Sequence, residues 1–213
     1  MDWRVWHDKY DSPDSRMARR LRTVQDQIRM VLDSSRSGPL RVISLCAGQG
    51  RDLLEVLCDH PQRSDIRARL VELDENNTAL AAAFARANQL DQIEIVTGDA
   101  ALTDQYSGMA PADLVLICGL FGNIADADIT RTIDACPQLC ATGGHVIWTR
   151  HRRTPDRVPV ICKQLEALGF DRRWLSGDDT ELGVGVHRFV GEPQPLESGR
   201  SLFQFVGYDR LVG

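Results

Sequence analysis

The chain has 213 residues, 43% of them apolar and 26% charged, with a formal net charge of −5. That length supports one sizeable core and leaves little room for a second, at roughly 100–200 residues per domain. An acidic balance without a strong basic cluster argues against a general binder of nucleic acid or of acidic membrane surfaces.

Residues 1–30 lack the apolar core of a signal peptide, and no run approaches the roughly 20 apolar residues of a membrane span, so a cytoplasmic protein is expected. The six cysteines (Cys46, Cys58, Cys118, Cys136, Cys140, Cys162) form no CxxC, and no histidine stands at ligand spacing from them. They read as free thiols with no metal site.

In chain order, the first twelve residues hold Trp3, Trp6, His7 and Tyr10, too short a stretch for a core of its own. Ser12-Pro13 reads as a helix cap followed by proline at the first helical position. Met17, Leu21, Val24, Ile28 and Leu32 then share an arc of roughly 100° on a helical wheel, while Arg16, Arg19, Arg20, Arg22 and Arg29 lie off it as a solvated basic face. Gly38-Pro39 ends this segment. The pattern divides the chain into residues 1–38, a lid segment with an amphipathic helix, and residues 39–213, the main domain.

From Val42 to Cys46 a nearly continuous apolar run marks a strand covered on both faces, and Leu53, Leu54 and Leu57 follow at helical spacing. Between them Gly48 and Gly50 let the backbone turn and approach a ligand closely. Strands at 68–73, 93–97, 114–118 and 145–149 then alternate with helices at 76–89, 126–139 and 158–168, which predicts a doubly wound, mainly parallel α/β sheet. Residues 170–175 and 183–190 are joined by a turn too short for a crossover helix, so they form an antiparallel C-terminal pair. A loop over 191–199 and one more strand over 202–208 complete the expectation.

In such a sheet the ligand lies beyond the carboxyl ends of the strands. Those ends bring together Ala47, Gly48, Gln49 and Gly50; Glu72 and Leu73; Asp99 and Ala100; and Cys118, Gly119, Leu120, Phe121 and Asn123. Glu72 stands 22 residues past Gly50, where a carboxylate accepts the hydroxyl protons of a ribose. Asp74 is better placed to cap the next helix.

These motifs in this order resemble the class I S-adenosylmethionine-dependent methyltransferases over about residues 40–190. Leu45 to Gly50 is similar to the family's first motif, Glu72 stands at its ribose-binding acid, Gly98-Asp99-Ala100 resembles its adenine-contacting motif, and 114–119 resembles its fourth. The antiparallel end matches the family's reversed last strand. The resemblance implies a seven-stranded fold, S-adenosyl-L-methionine as cofactor, and methyl transfer to O or N, less readily C, of an acceptor. Ala47 to Gly50, Glu72, Leu73, Asp99, Ala100, Cys118, Gly119 and Leu120 are the cofactor residues it implies. Two alternatives stay open: a non-catalytic module that binds the cofactor or S-adenosylhomocysteine, and an NAD-type domain. The latter's fingerprint needs a third glycine where Leu53 stands.

Gly119-Leu120-Phe121-Gly122 replaces the Asn-Pro-Pro-Tyr-like tetrad of family members that methylate nucleobase or amide nitrogens. Asp126 and Asp128 read as helix N-terminal charges rather than metal ligands. A small-molecule acceptor remains, with Trp6, Phe121, Asn123 and Arg150 as candidates to bind it. His151, Tyr10 and His7 are the candidate catalytic groups. The aromatic start either closes over the site or pins the N-terminus to the body, and Arg150, His151, Arg152 and Arg153 form a basic loop past the fifth strand.

Overall fold

The computed structural model describes residues 15–35 and 38–207. Trp3, Trp6, His7, Tyr10 and the Ser12-Pro13 cap lie outside them. The first described helix, α1 (Arg16–Ser34), is capped by Ser15, whose hydroxyl accepts from the Ala18 amide at 2.9 Å. Its apolar side buries Ala18, Val24, Ile28, Val31 and Leu32. This stripe, rather than helix propensity, holds the helix on the body.

The strands are β1 (Leu40–Leu45), β2 (Ile66–Glu72), β3 (Ile93–Thr97), β4 (Ala112–Ile117), β5 (Cys140–His151), β6 (Phe170–Leu175) and β7 (Leu182–Phe189). They form one seven-stranded sheet in the order β3-β2-β1-β4-β5-β7-β6. The pairs from β3 to β5 are parallel, and β7 runs antiparallel to both β5 and β6. In register Leu45 lies opposite Val71, Glu72 opposite Thr97 and Ile117 opposite Trp148, so the parallel strands end along one edge. The order reverses between β1 and β4. That is the switch point where a crevice opens in such sheets.

Alternation along β4 shows why both faces need cover. Leu114 and Leu116 enter one core with α1, α2 (Arg51–Leu57) and α3 (Glu75–Ala87); Val115 and Ile117 enter the other. The second face is closed by α4 (Asp126–Asp134), α5 (Cys136–Leu139) and α6 (Val158–Ala167). The single helix expected over 126–139 is in fact two, because Pro137 brings no amide to continue the ladder. β5 is longer than expected: it starts at Cys140 and accommodates Gly143 and Gly144 through a register shift against Ala112 and Leu114.

The C-terminal expectation is corrected as well. Residues 202–207 form no strand, and among the described residues the ladder contact nearest them is a bridge between Leu102 and Ser201. Only a 3-10 turn, Thr103–Tyr106, lies between β3 and β4, too short to cover the sheet at that point. Residues 194–207 serve as a strap over this gap, with Leu196, Leu202 and Phe203 joining the core. Its amides are matched one by one: Gln194 to Pro137 O, Leu202 to Ala101 O, and Val206 and Gly207 to Asn123 O, all at 2.8–3.0 Å. The Gln204 amide donates to Asp128 Oδ2 at 2.9 Å, and Asp128 Oδ1 pairs with Arg131 at 2.8 Å. Asp128 thus sits in the first turn of α4 as expected, and also anchors the strap. Asp128→Ala is expected to cost about 0.5–1.5 kcal/mol in a urea melt, the net worth of a hydrogen bond to a half-buried amide. An unchanged midpoint would show that the strap needs no anchor there.

Candidate functional site

The turn after β1 is built on left-handed backbone. Cys46, Gly48 and Gly50 have φ of 52°, 57° and 67°. At Gly50 a Cβ would lie 2.6 Å from Leu70 Cδ2 and 3.0 Å from Leu54 Cδ1, so the position admits no side chain in its present place. Gly50 also starts α2, its carbonyl accepting from the Leu53 and Leu54 amides at 3.2 and 2.8 Å. The Gly48 amide donates to Glu72 Oε2 at 2.8 Å, and the Asp74 amide donates to Glu72 Oε1 at 2.9 Å. One carboxylate thereby holds the β1 and β2 turns together. Asp74 itself caps α3, accepting from the Asn76 and Asn77 amides.

The next two turns are fixed in the same way. Asp99 accepts from the Ala101 amide at 2.9 Å, and the buried Tyr106 hydroxyl donates to Ala100 O at 2.6 Å. After β4, the Gly119 amide donates to Thr149 Oγ1 at 2.8 Å and Gly119 O accepts from Asn123 Nδ2 at 2.6 Å. With φ of 81° at Gly119 the chain folds back there.

These turns surround a cavity of about 490 Å³, within the roughly 300–1,000 Å³ typical of small-molecule sites. Among the described residues its walls are Cys46, Ala47, Gly48, Gln49, Arg51 and Asp52 from the first turn and α2; Glu72, Leu73, Asp74 and Asn77 from the second; Asp99 and Ala100 from the third; and Cys118, Gly119 and Asn123 from the fourth. Arg20, Leu21 and Val24 of α1 and Phe203 and Phe205 of the strap complete it.

Most of the residues singled out from sequence meet here, but not all. Leu120 and Phe121 do not line the cavity: both are buried in the core, where Phe121 packs against Trp148. Arg150 and His151 stand off the cavity wall. The Arg150 guanidinium donates to Phe121 O, and His151 lies beside Gly122 with Nδ1 accepting from the Arg153 amide at 3.3 Å. Burial, with help from Arg150 and Arg153, pushes the His151 imidazole down to about 4, so it is neutral at pH 7. Gly50 supports the turn from behind rather than lining the cavity.

Arg20, Asp52, Asn77, Phe203 and Phe205 escaped the sequence reading. Arg20 belongs to the basic face expected to be solvated, yet a Cβ on Gly119 would sit 3.9 Å from its Nη1. Arg20 lies at the border of the buried arc, and its long side chain reaches inward from there. Phe203 and Phe205 carried no such signal, since a strap has no period.

Asp52 is the perturbed acid of the site. Burial raises its carboxyl to about 6, against the opposing pull of its bond from the Leu53 amide and of the Arg20 guanidinium. Cys46 and Cys118 also face the cavity, and burial pushes both thiols up, away from the reactive thiolate. Among the described residues no grouping of His, Cys, Asp and Glu suits a metal ion, and no helix is long and apolar enough to cross a membrane.

Residues 15–175 match the family described as "Putative methyltransferase". The chain belongs to this methyltransferase family. No curated protein matches this chain in sequence. Solved structures share its fold at low identity. An O-methyltransferase family protein from Burkholderia thailandensis superposes with a TM-score of 0.68 at 16% identity, covering 91% of this chain and 61% of that one. This chain therefore spans less than two thirds of that relative. Magnesium protoporphyrin IX methyltransferase from Synechocystis PCC 6803, solved with bound SAM, gives 0.62 at 14% identity over 80% and 79% of the two chains. Precorrin-6y C5,15-methyltransferase from Geobacter metallireducens gives 0.55 at 14%, over 78% and 88%.

Four acidic side chains (Asp52, Glu72, Asp74, Asp99) and two guanidiniums (Arg20, Arg51) line the cavity, an acidic balance that favours a ligand carrying positive charge. The left-handed glycine turn leaves backbone rather than side chain at the cavity wall.

Proposed function

We propose that this protein is an S-adenosylmethionine-dependent methyltransferase acting on O or N of a small-molecule acceptor. The observation that carries the reading is the convergence of the β1 glycine turn, Glu72, Asp99 and the Arg20 and Asp52 side chains on one cavity at the sheet's switch point. Bound there, the cofactor supplies a methyl group already activated by its sulfonium, so the protein's work is alignment.

Glu72 would accept the ribose hydroxyls, its position fixed by the two amides it already holds. Asp99 and Ala100 would border the adenine. Arg20 and Asp52 form a pair of opposite charges suited to an amino-acid tail, the guanidinium taking the carboxylate and the aspartate the ammonium. Leu21, Val24 and Phe203 exclude water from the reacting end. The free thiols fit a reducing compartment, which supports a cytoplasmic location.

Incubating the protein with methyl-labelled cofactor and a metabolite extract tests the reading. A labelled small-molecule product is expected; cofactor binding with no product from any fraction would favour a non-catalytic binding module.

The Asp52 role makes a separate prediction. An aspartate that pairs with an ammonium must be ionised, and in the free protein it protonates at about 6. Affinity for S-adenosylhomocysteine is therefore expected to be full at pH 7 and to fall by up to tenfold per pH unit below 6. Asp52→Asn should lower the affinity at pH 7 and flatten this dependence. A wild-type affinity constant between pH 5 and 7 would remove Asp52 from the tail site.

A further inference from the structure

Asn77 carries a buried amide that the fold itself does not use. It is 7% exposed and lines the cavity from the first turn of α3. Its backbone amide donates to Asp74 Oδ1 at 3.1 Å, but its side-chain amide has no hydrogen-bond partner among the described residues. Thr78, the next buried polar side chain of this helix, is paired: its hydroxyl donates to Glu75 O at 3.1 Å and lies 2.8 Å from Thr97 Oγ1. Buried polar groups are nearly always paired, so an unpaired amide on a cavity wall calls for a partner inside the cavity.

The structural roles open to an asparagine here are already filled. At the third position of a helix an accepting side chain can reach back to the amide of the capping residue, yet the Asp74 amide is bonded to Glu72 Oε1 at 2.9 Å. The cap itself is Asp74. Nor does helix propensity select asparagine, which ranks well below the alanine that fills most of α3.

Asp74 also ties Asn77 to the neighbouring acid, since its amide donates to Glu72 while its carboxylate accepts from Asn77 N. Both side chains therefore come from one wall. A carboxylate offers about four lone-pair sites, of which the Gly48 and Asp74 amides take one each. What remains on Glu72 can accept a proton from a hydroxyl but can give it none. A hydroxyl held that way still has lone pairs that need a donor, and the Asn77 side chain has two N–H bonds to give.

We propose that Asn77 is a ligand-binding residue: its side-chain amide donates to the ribose hydroxyl whose proton Glu72 accepts. The two side chains clamp one hydroxyl from both sides and select a nucleoside that carries it. The proposal rests on the methyl-transfer reading and extends its cofactor site to a residue outside the strand-end motifs.

Calorimetry with S-adenosylhomocysteine and its 2′-deoxy and 3′-deoxy analogues tests this, on the wild type and on Asn77→Leu. The substitution is expected to weaken S-adenosylhomocysteine about two- to tenfold, the worth of one hydrogen bond. It should weaken one deoxy analogue equally and leave the other unaffected, because that ligand lacks the hydroxyl the amide would hold. Circular dichroism checks the fold, and Asn77→Ala, a good helix former, carries the same comparison if leucine is not accommodated. An unchanged affinity for S-adenosylhomocysteine, or the same loss for all three ligands, overturns the proposal. Failure of S-adenosylhomocysteine to bind the wild type is a different result; it overturns the methyl-transfer reading before Asn77 is tested.

Discussion

Gly50→Val is expected to lower stability by about 2–5 kcal/mol and to abolish cofactor binding. Two costs add. An L-residue in the left-handed region costs roughly 1–2 kcal/mol, and Gly50 has φ of 67°. Overpacking costs roughly 1–3 kcal/mol more, because a Cβ there lies 2.6 Å from the Leu70 methyl and 3.0 Å from that of Leu54, both buried. Relief requires moving either the β1 turn or the start of α2, and both border the cavity. Urea unfolding and calorimetry with S-adenosylhomocysteine measure the two effects. A variant that melts and binds as the wild type does would show that the turn is not constrained.

Glu72→Ala is the second large effect, and it falls on affinity. The carboxylate holds the Gly48 and Asp74 amides and is proposed to accept the ribose hydroxyls. Its removal strands both the turns and the ligand, at about 1–3 kcal/mol, or roughly 5- to 150-fold in Kd. Glu72→Gln should fall between, since an amide group keeps one accepting oxygen and loses the other. Circular dichroism should show the fold retained in both. An unchanged Kd in Glu72→Ala would take the ribose contact away from this residue.

The sheet was legible in the sequence wherever burial imposes a pattern. β1 and β4 are apolar on both faces because helices cover both, and that is visible as continuous runs at 42–46 and 114–118. The strand-end positions follow from the strands, so the turns holding Gly48, Glu72, Asp99 and Gly119 are legible as well. What depends on direction rather than period was not legible. Leu120 and Phe121 follow a left-handed glycine that turns them into the core, and no spacing rule states which way such a turn sends the chain.

The strap over 194–207 escaped for a related reason. Its hydrogen bonds go to scattered partners, Pro137, Ala101, Asp128 and Asn123, so it carries no alternation that could be read. Arg20 was misread because a long side chain from a helix's polar border reaches inward over Gly119, which a wheel of α-carbons does not record.

The central claim is that the cavity at the switch point is an S-adenosylmethionine site. The most direct test is calorimetric titration of the full chain with S-adenosylmethionine and, separately, S-adenosylhomocysteine at pH 7. The account predicts saturable binding of both at a single site per chain, weakened in Glu72→Ala. No binding of either at millimolar concentration would contradict it.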